Sequence, residues 1–189
     1  EPSLSAFVVY GATTLDLRAA GAAHEMFLYR TWSHDADYAN ALRGEPSRIG
    51  FTVPTFADPS LAPPGEELFQ ITVLVPMSLA RSWRDEKPRF EERLLDFAEA
   101  SFPGLRAGLR FVESATPRTF ERYTRNHEGA MYGFSPRPEQ VGHGRLAPRG
   151  QVAGLHLAGH WTRPGPGVQG AIASGCAAAN AVLGGPAAH

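Results

Sequence analysis

Leu155-His-Leu-Ala-Gly-His-Trp-Thr-Arg-Pro-Gly-Pro-Gly-Val-Gln-Gly-Ala-Ile-Ala-Ser-Gly-Cys-Ala-Ala-Ala-Asn-Ala-Val-Leu183 carries the pattern that decides how the rest of the chain is assembled. Leu155 and Leu157 alternate with His156, and Ala158-Gly159 closes the run, which predicts a short strand. Gly165, Gly167 and Gly170 then bracket a turn into a helix of unusually small residues. A strand feeding a glycine-rich loop and a helix N-terminus is a general anion- and cofactor-binding device. Unpaired backbone N–H groups and the positive end of the helix dipole face whatever lies in front. The small side chains after Gly170 let a flat ligand or another surface come close to the backbone. The spacing is not the Walker pattern, which needs Gly-Lys-Ser/Thr. Nor is it the dinucleotide fingerprint Gly-x-Gly-x-x-Gly that opens a unit of about 30 residues.

The stretch belongs to a chain of 189 residues, enough for one ordinary domain with a sizeable core. Hydrophobic residues at 43% and charged residues at 20% describe a globular chain, not a disordered one. Eighteen basic and nineteen acidic residues give a net charge of −1 and are scattered, which argues against a nucleic-acid partner. The single cysteine, Cys176, excludes an internal disulfide framework and a multi-cysteine metal site. No run of eighteen apolar residues predicts a membrane-spanning helix. The opening Glu1-Pro2-Ser3-Leu4 lacks methionine and enters a strand pattern at once. It raises the expectation of a fragment, a processed chain or one half of a split protein, with ordinary trimming as an equal alternative.

Upstream of the terminal stretch the pattern alternates between strands and helices. Strands are predicted over residues 4–10, 24–30, 49–53, 68–75 and 109–113, each rich in β-branched or aromatic residues. The nearly continuous apolar run at 68–75 reads as a central strand covered on both faces. A short helix over 33–42 has Ser33 as N-cap, Asp35 and Asp37 in its first turn and Gly44 at its end. From residue 88 to 102 the period becomes helical, with Phe90, Leu94, Phe97, Ala98 and Phe102 on one core-facing stripe. A further helix starts at Thr116, its N-cap, with Pro117 at the first helical position.

Together these pieces resemble the phytoene desaturase-like FAD-dependent oxidoreductases, within the amine-oxidase-type flavoproteins. The matching residues are Ala158-Gly159, Thr162-Arg-Pro-Gly-Pro-Gly-Val168, Gly170-Ala171 and Ser174-Gly175. Upstream they include Leu15-Asp-Leu-Arg18, Phe27-Leu28, Arg43-Gly-Glu-Pro46, Asp58-Pro-Ser-Leu-Ala-Pro-Pro-Gly65 and Asn126-His-Glu-Gly-Ala-Met-Tyr-Gly133. The resemblance spans nearly the whole chain in order. It implies an α+β or α/β architecture: a substrate-domain sheet with helices over residues 1–135, roofing a flavin. A terminal strand–loop–helix over residues 136–189 would complete an FAD-binding Rossmann-like domain. Gly159 and His160 would lie by the ribityl–phosphate region, and Gly167, Val168, Gly170 and Ala171 would offer backbone N–H groups to the flavin. Trp161 and Pro166 complete the implied cofactor-binding set. Members often carry an acidic residue where His160 stands, and imidazole can either donate or accept there.

The N-terminal FAD half with its glycine fingerprint is not in this sequence. The resemblance therefore implies a partner chain carrying that half, and an apolar or amine small-molecule substrate. Hydride transfer to the flavin is the implied chemistry, with no catalytic base assigned. The non-catalytic alternative is a substrate-binding or partner domain derived from such a flavoprotein. A cytoplasmic location is expected, with peripheral contact with a bilayer left open. Plainer roles attach to several residues. Cys176 reads as a packed structural thiol, Ser174 lacks the Gly-x-Ser-x-Gly of a hydrolase elbow, and His156 and His160 do not share a helical face as a metal pair would. Trp161 and Tyr132 suit either an aromatic substrate pocket or the core.

Overall fold

Alternation of side chains builds the sheet. In a computed structural model that describes residues 1–184, β1 (Ser5–Thr13), β2 (Glu25–Tyr29), β3 (Arg48–Thr52), β4 (Glu67–Val75) and β5 (Leu109–Ala115) form one sheet in the order β2-β3-β4-β1-β5. Every neighbouring pair is antiparallel. Phe69, Ile71, Val73 and Val75 of β4 are buried, while the residues between them are only partly covered. β4 is central, as its apolar run predicts, but one face only is packed. Antiparallel sheets tolerate such one-sided cover, because no crossover helix is obliged to lie on the second face.

The packed face is covered by α2 (Trp83–Ser101), whose Phe90, Leu94 and Phe97 join Phe7, Phe51 and Ile71 in the core. The Phe7 and Phe90 rings lie 4.8 Å apart, and Phe51 and Phe102 lie 4.7 Å apart. The helix begins five residues before Pro88, where the sequence pattern starts it. Ser82 caps it by accepting the Asp85 amide, and Pro88 is carried inside the helix. At the far end Glu99 accepts the amides of Gly104 and Arg106, both at 2.8 Å, closing the turn toward β5. α1 (His34–Leu42) is capped by Ser33, and α3 (Pro117–Thr124) opens with a capping box between Thr116 and Thr119.

The predicted strand at 155–158 does not form. Leu157 donates its amide to the Pro148 carbonyl, and His156 and Thr162 make single bridges with Arg149 and Leu146. A strand needs a neighbour along its length, and none is present among the described residues. The terminal unit is therefore a loop held by isolated bridges, followed by α4 (Gly167–Val182). The fold is α+β around one antiparallel sheet. Among the described residues no helix is long and apolar enough to cross a membrane.

Segment 131–135 joins the terminal unit to the sheet. It runs beside the chain start, with the Ser3 amide on the Gly133 carbonyl at 2.7 Å and the Met131 amide on the Leu4 carbonyl at 3.1 Å.

At Gly11 the Phe69 ring occupies the place of a side chain: an added Cβ would sit 2.1 Å from it. Gly11→Ala is expected to destabilise the protein by about 1–3 kcal/mol through overpacking. Gly50→Ala, whose methyl would meet Phe27 at 3.4 Å, should cost less. Denaturant midpoints of the two variants measure the difference.

Candidate functional site

The sheet face opposite α2, open over β2–β3–β4 but covered at Val8 and Ala115, is ordered in rows, because directly paired residues point the same way. One row crosses all five strands as Glu25, Thr52, Gln70, Tyr10 and Glu113. The next reads Phe27, Gly50, Thr72, Val8 and Ala115. A cavity of about 410 Å³ opens over the β2–β3–β4 part of these rows, with Met131 and Tyr132 on its rim. Its floor is mixed in polarity. The Gln70 amide donates to Thr72 Oγ1 at 2.9 Å. The Arg48 guanidinium pairs with the buried Asp37 at 3.2 Å and lies over the Phe27 ring at 5.7 Å. Burial pushes the Tyr10 phenol above its ordinary value.

The rim of this cavity is tied to the glycine-rich loop by one buried residue. Arg145 is 2% exposed. Its guanidinium donates to the carbonyls of Tyr132 at 3.2 Å, Phe134 at 2.8 Å and His160. Arg163 continues the lattice, donating from Nε to the Arg145 carbonyl at 3.1 Å and from Nη2 to the His143 carbonyl at 2.9 Å. Burial lowers the Arg145 pKa from its ordinary value, but a guanidinium stays charged at neutral pH. Gly133, at φ 68°, makes the close approach: a Cβ there would lie 2.8 Å from the His160 carbonyl oxygen.

A second anchor fixes the loop to α4. Ser174 is fully buried, and its Oγ accepts the Gly159 amide at 2.9 Å while pairing with Thr162 Oγ1. Thr162 Oγ1 itself donates to the Gly159 carbonyl at 2.8 Å, so the Ser174 hydroxyl donates to Thr162. The serine is spent on holding the loop. Gly170 packs against the loop as well, since a Cβ there would meet the Gly165 carbonyl oxygen at 2.4 Å.

The structure ties Gly159 to the middle of α4 through Ser174, holds His160 and Trp161 against Asn126 and Phe134, and sets the start of α4 at the exit of the loop. Gly167 and Val168 are exposed there, while Pro166, Gly170 and Ala171 are half-buried. Pro166 is the N-cap and supplies no side-chain hydrogen bond, so the first amides of α4 are left for a ligand or water. Cys176, expected to be packed, is exposed instead, because no element among the described residues covers that side of α4. Trp161 packs edge-on to Phe134 at 4.9 Å. Of two residues with central roles, Arg145 was not singled out by sequence, and Asn126 entered only as the first residue of the Asn126–Gly133 match, with no role assigned. Asn126 Oδ1 accepts from Trp161 Nε1 at 2.9 Å and faces His160 Nε2 at 3.2 Å, contacts 35 and 34 residues away along the chain. Burial and then the Arg145 charge hold the His160 pKa below its ordinary value, against an opposing pull from the Met131 backbone.

A family model described as flavin containing amine oxidoreductase matches residues 23–183. A phytoene desaturase (lycopene-forming) of Pseudescherichia vulneris is 34% identical over 134 residues, covering 69% of this chain and 27% of that relative. A phytoene dehydrogenase of Streptomyces griseus is 33% identical over 159 residues, covering 80% and 31%. The chain therefore spans less than a third of the length of these relatives. The crystal structure of an oxidoreductase from Methanosarcina mazei shares the fold, with a TM-score of 0.55 over 97% of this chain and 35% of that chain at 19% identity.

Replacing Arg145 by Met removes three charge-assisted bonds and leaves buried carbonyls bare. A loss of at least about 3 kcal/mol is expected, and Arg145→Lys should not restore it, since an ammonium cannot span three carbonyls. Denaturant unfolding and hydrogen exchange at residues 159–163 test both variants. His160 gives a pH signature. Its folded pKa is depressed, so the unfolded chain takes up a proton first on acidification. The contribution of the neutral ring is whole above its ordinary pKa of about 6.5 and is lost as pH falls below that. Thermal unfolding between pH 7.5 and 5 should therefore slope less in His160→Gln than in the parent protein.

Proposed function

The chain belongs to the flavin-containing amine oxidoreductase family, and on that premise we propose that it forms the cofactor-closing part of an FAD-dependent oxidoreductase of desaturase or oxidase type. Residues 1–135 supply a portion of the substrate domain, with the uncovered sheet face toward the substrate. Residues 136–189, of which the last five lie outside the described residues, close an FAD-binding Rossmann-like domain. The glycine fingerprint for the pyrophosphate comes from a complementary half carrying Gly-x-Gly-x-x-Gly, a partner chain in the simplest arrangement.

One observation carries this reading. The family match runs through a loop that is rigidly anchored on its inner side by Arg145 and Ser174, yet open on its outer side at the start of α4. The residues suit a flavin. The amides of the first turn of α4 have no side-chain cap, and Gly167, Val168, Gly170 and Ala171 leave room for a flat ring. A helix N-terminus in that position favours negative charge on the ring. Gly159, His160 and Trp161 flank the same loop, and Pro166 orients its exit. FAD, when bound, supplies the acceptor for hydride from a substrate carbon. The chain's own residues hold the ring edge, keep the loop rigid and form the floor over which substrate lies.

Within this class the row Glu25, Thr52, Gln70, Tyr10 and Glu113 favours a substrate with a polar or amine group, because a bare hydrocarbon would bury those groups without partners. The likeness to a phytoene desaturase and a phytoene dehydrogenase favours an apolar polyene.

The test is absorbance of the assembly formed by this chain with its cofactor-binding half. A flavin spectrum is expected. Gly170→Val, which drives the loop off the first turn of α4, should lower flavin affinity about tenfold or more, an energy of about 1.4 kcal/mol. An assembly that stays colourless after addition of FAD would sink the enzyme reading and leave the non-catalytic one.

A further inference from the structure

The strand order β2-β3-β4-β1-β5 leaves β2 and β5 at the edges of the sheet, and the two edges differ. β5 meets β1 through a register that shifts at Ala12/Thr13, and its Arg110 and Glu113 are exposed charges. A bulge and edge charges are ordinary guards against a further strand. β2 keeps one unbroken register against β3 over all five residues, and its one charge, Glu25, stands at its first position. Aromatic rings lie open along it instead: Phe27 is 58% exposed, and Trp32, three residues past the strand, is 94% exposed.

The ladder decides which backbone groups of β2 face outward. In an antiparallel pair, positions that exchange hydrogen bonds alternate with positions that do not. The Val53 amide donates to the His24 carbonyl, and the Arg30 amide to the Ser47 carbonyl, both at 2.8 Å and both in register with the β2–β3 ladder. The even positions 24 to 30 are therefore the bonded ones. Glu25, Phe27 and Tyr29 turn their amides and carbonyls away from β3, and none of these groups has a backbone partner among the described residues. Glu25 and Phe27 also line the cavity, so the cavity floor ends at the open edge.

We infer that the β2 edge receives a sixth strand, contributed by the complementary half, and that this strand completes the cavity floor. This rests on the two-part flavoprotein reading given above and adds the seam at which the parts join. The chain spans less than a third of the length of its relatives, so most of such a protein is available to supply the strand. Main-chain bonds to Glu25, Phe27 and Tyr29 would hold it, and its alternate side chains would set specificity. Side chains directly opposite Glu25 and Phe27 would point to the cavity face. An apolar residue suits the place beside the Phe27 ring, and a basic or hydrogen-bonding one the place beside Glu25.

Hydrogen exchange read residue by residue by NMR compares the chain alone with its assembly with the cofactor-binding half. In the chain alone the Met26 and Leu28 amides should be protected and those of Phe27 and Tyr29 should exchange fast. In the assembly the Phe27 and Tyr29 amides should slow at least tenfold. Phe27→Pro deletes one outward amide and spares the β3 ladder, a change that edge strands tolerate. It should weaken assembly at least tenfold beyond Phe27→Ala, which removes the ring alone. Phe27 and Tyr29 amides that exchange in the assembly as they do in the chain alone would overturn the inference, as would proline and alanine variants that assemble equally well. Protection that rises with the concentration of the chain alone would give the edge to a second copy and overturn it too. If the proline variant does not fold, exchange in the parent protein decides. Flavin absorbance keeps the two readings apart. A colourless assembly with protected Phe27 and Tyr29 amides upholds the seam and removes the flavin reading. A flavin-loaded assembly with fast exchange there does the reverse.

Discussion

A guanidinium taken out of water, facing only carbonyl oxygens, holds this molecule's two functional surfaces at a fixed separation. Arg145 has five donors in a planar fork, and two backbone segments converge on it through three carbonyls: those of Tyr132 and Phe134 from the cavity rim, and that of His160 from the glycine-rich loop. Carbonyls give up less hydration than a carboxylate when buried, and three of them pair with Nη1 and Nη2, while the buried Nε has no partner among the described residues. Because the acceptors are main-chain atoms, the residue fixes the path of the backbone and not merely a pair of side chains. The rim carries Met131 and Tyr132, and the loop carries His160 and Trp161. Neither can shift without leaving a buried charge short of partners.

That clasp works on a sheet with one dry face and another that is open over β2, β3 and β4. α2 fills the inner side with aromatic and aliphatic side chains, so tightly at one point that Gly11 must yield its place to Phe69. The outer side of β2, β3 and β4 is under no such demand. Its rows combine Gln70, Thr72 and Thr52 with Phe27 and Leu74 around the cavity. A face free of packing duty is free to vary in chemistry, and it is the face that Tyr132 borders. The asymmetry of the sheet decides where a substrate can lie.

Much of this was legible in the sequence wherever the cause is local. Ser33 and Thr116 cap their helices as their residue types demand, and the Phe90–Phe102 stripe faces the core because its period is helical. Strand positions were also readable, since β-branched runs mark them. The errors share a physical origin. β4 looked covered on both faces because Leu68 and Leu74 fill its outward positions, and composition cannot tell a cavity floor from a second core. Residues 155–158 have a strand pattern, but pairing is supplied by another segment and none is present among the described residues. Arg145 and the role of Asn126 were silent for a different reason. Their roles are made by contacts with main-chain carbonyls or with residues more than thirty positions away, and neither leaves a periodic trace.

The last element argues for itself through what it lacks. α4 buries only Ser174, while Val168, Ile172 and Val182 are more than 60% exposed. A sixteen-residue helix with Gly170 and Gly175 inside it is marginal in water on propensity alone. Covering each of its exposed aliphatic side chains would contribute about 1.5–3 kcal/mol. Its inner side is already committed to the loop through Ser174 and Gly170, so that contribution has to come from a surface on the outer side. The same small residues that leave space for a flat cofactor let that surface reach the backbone. In the proposed assembly, binding of the cofactor and ordering of α4 therefore draw on one contact region, and each strengthens the other.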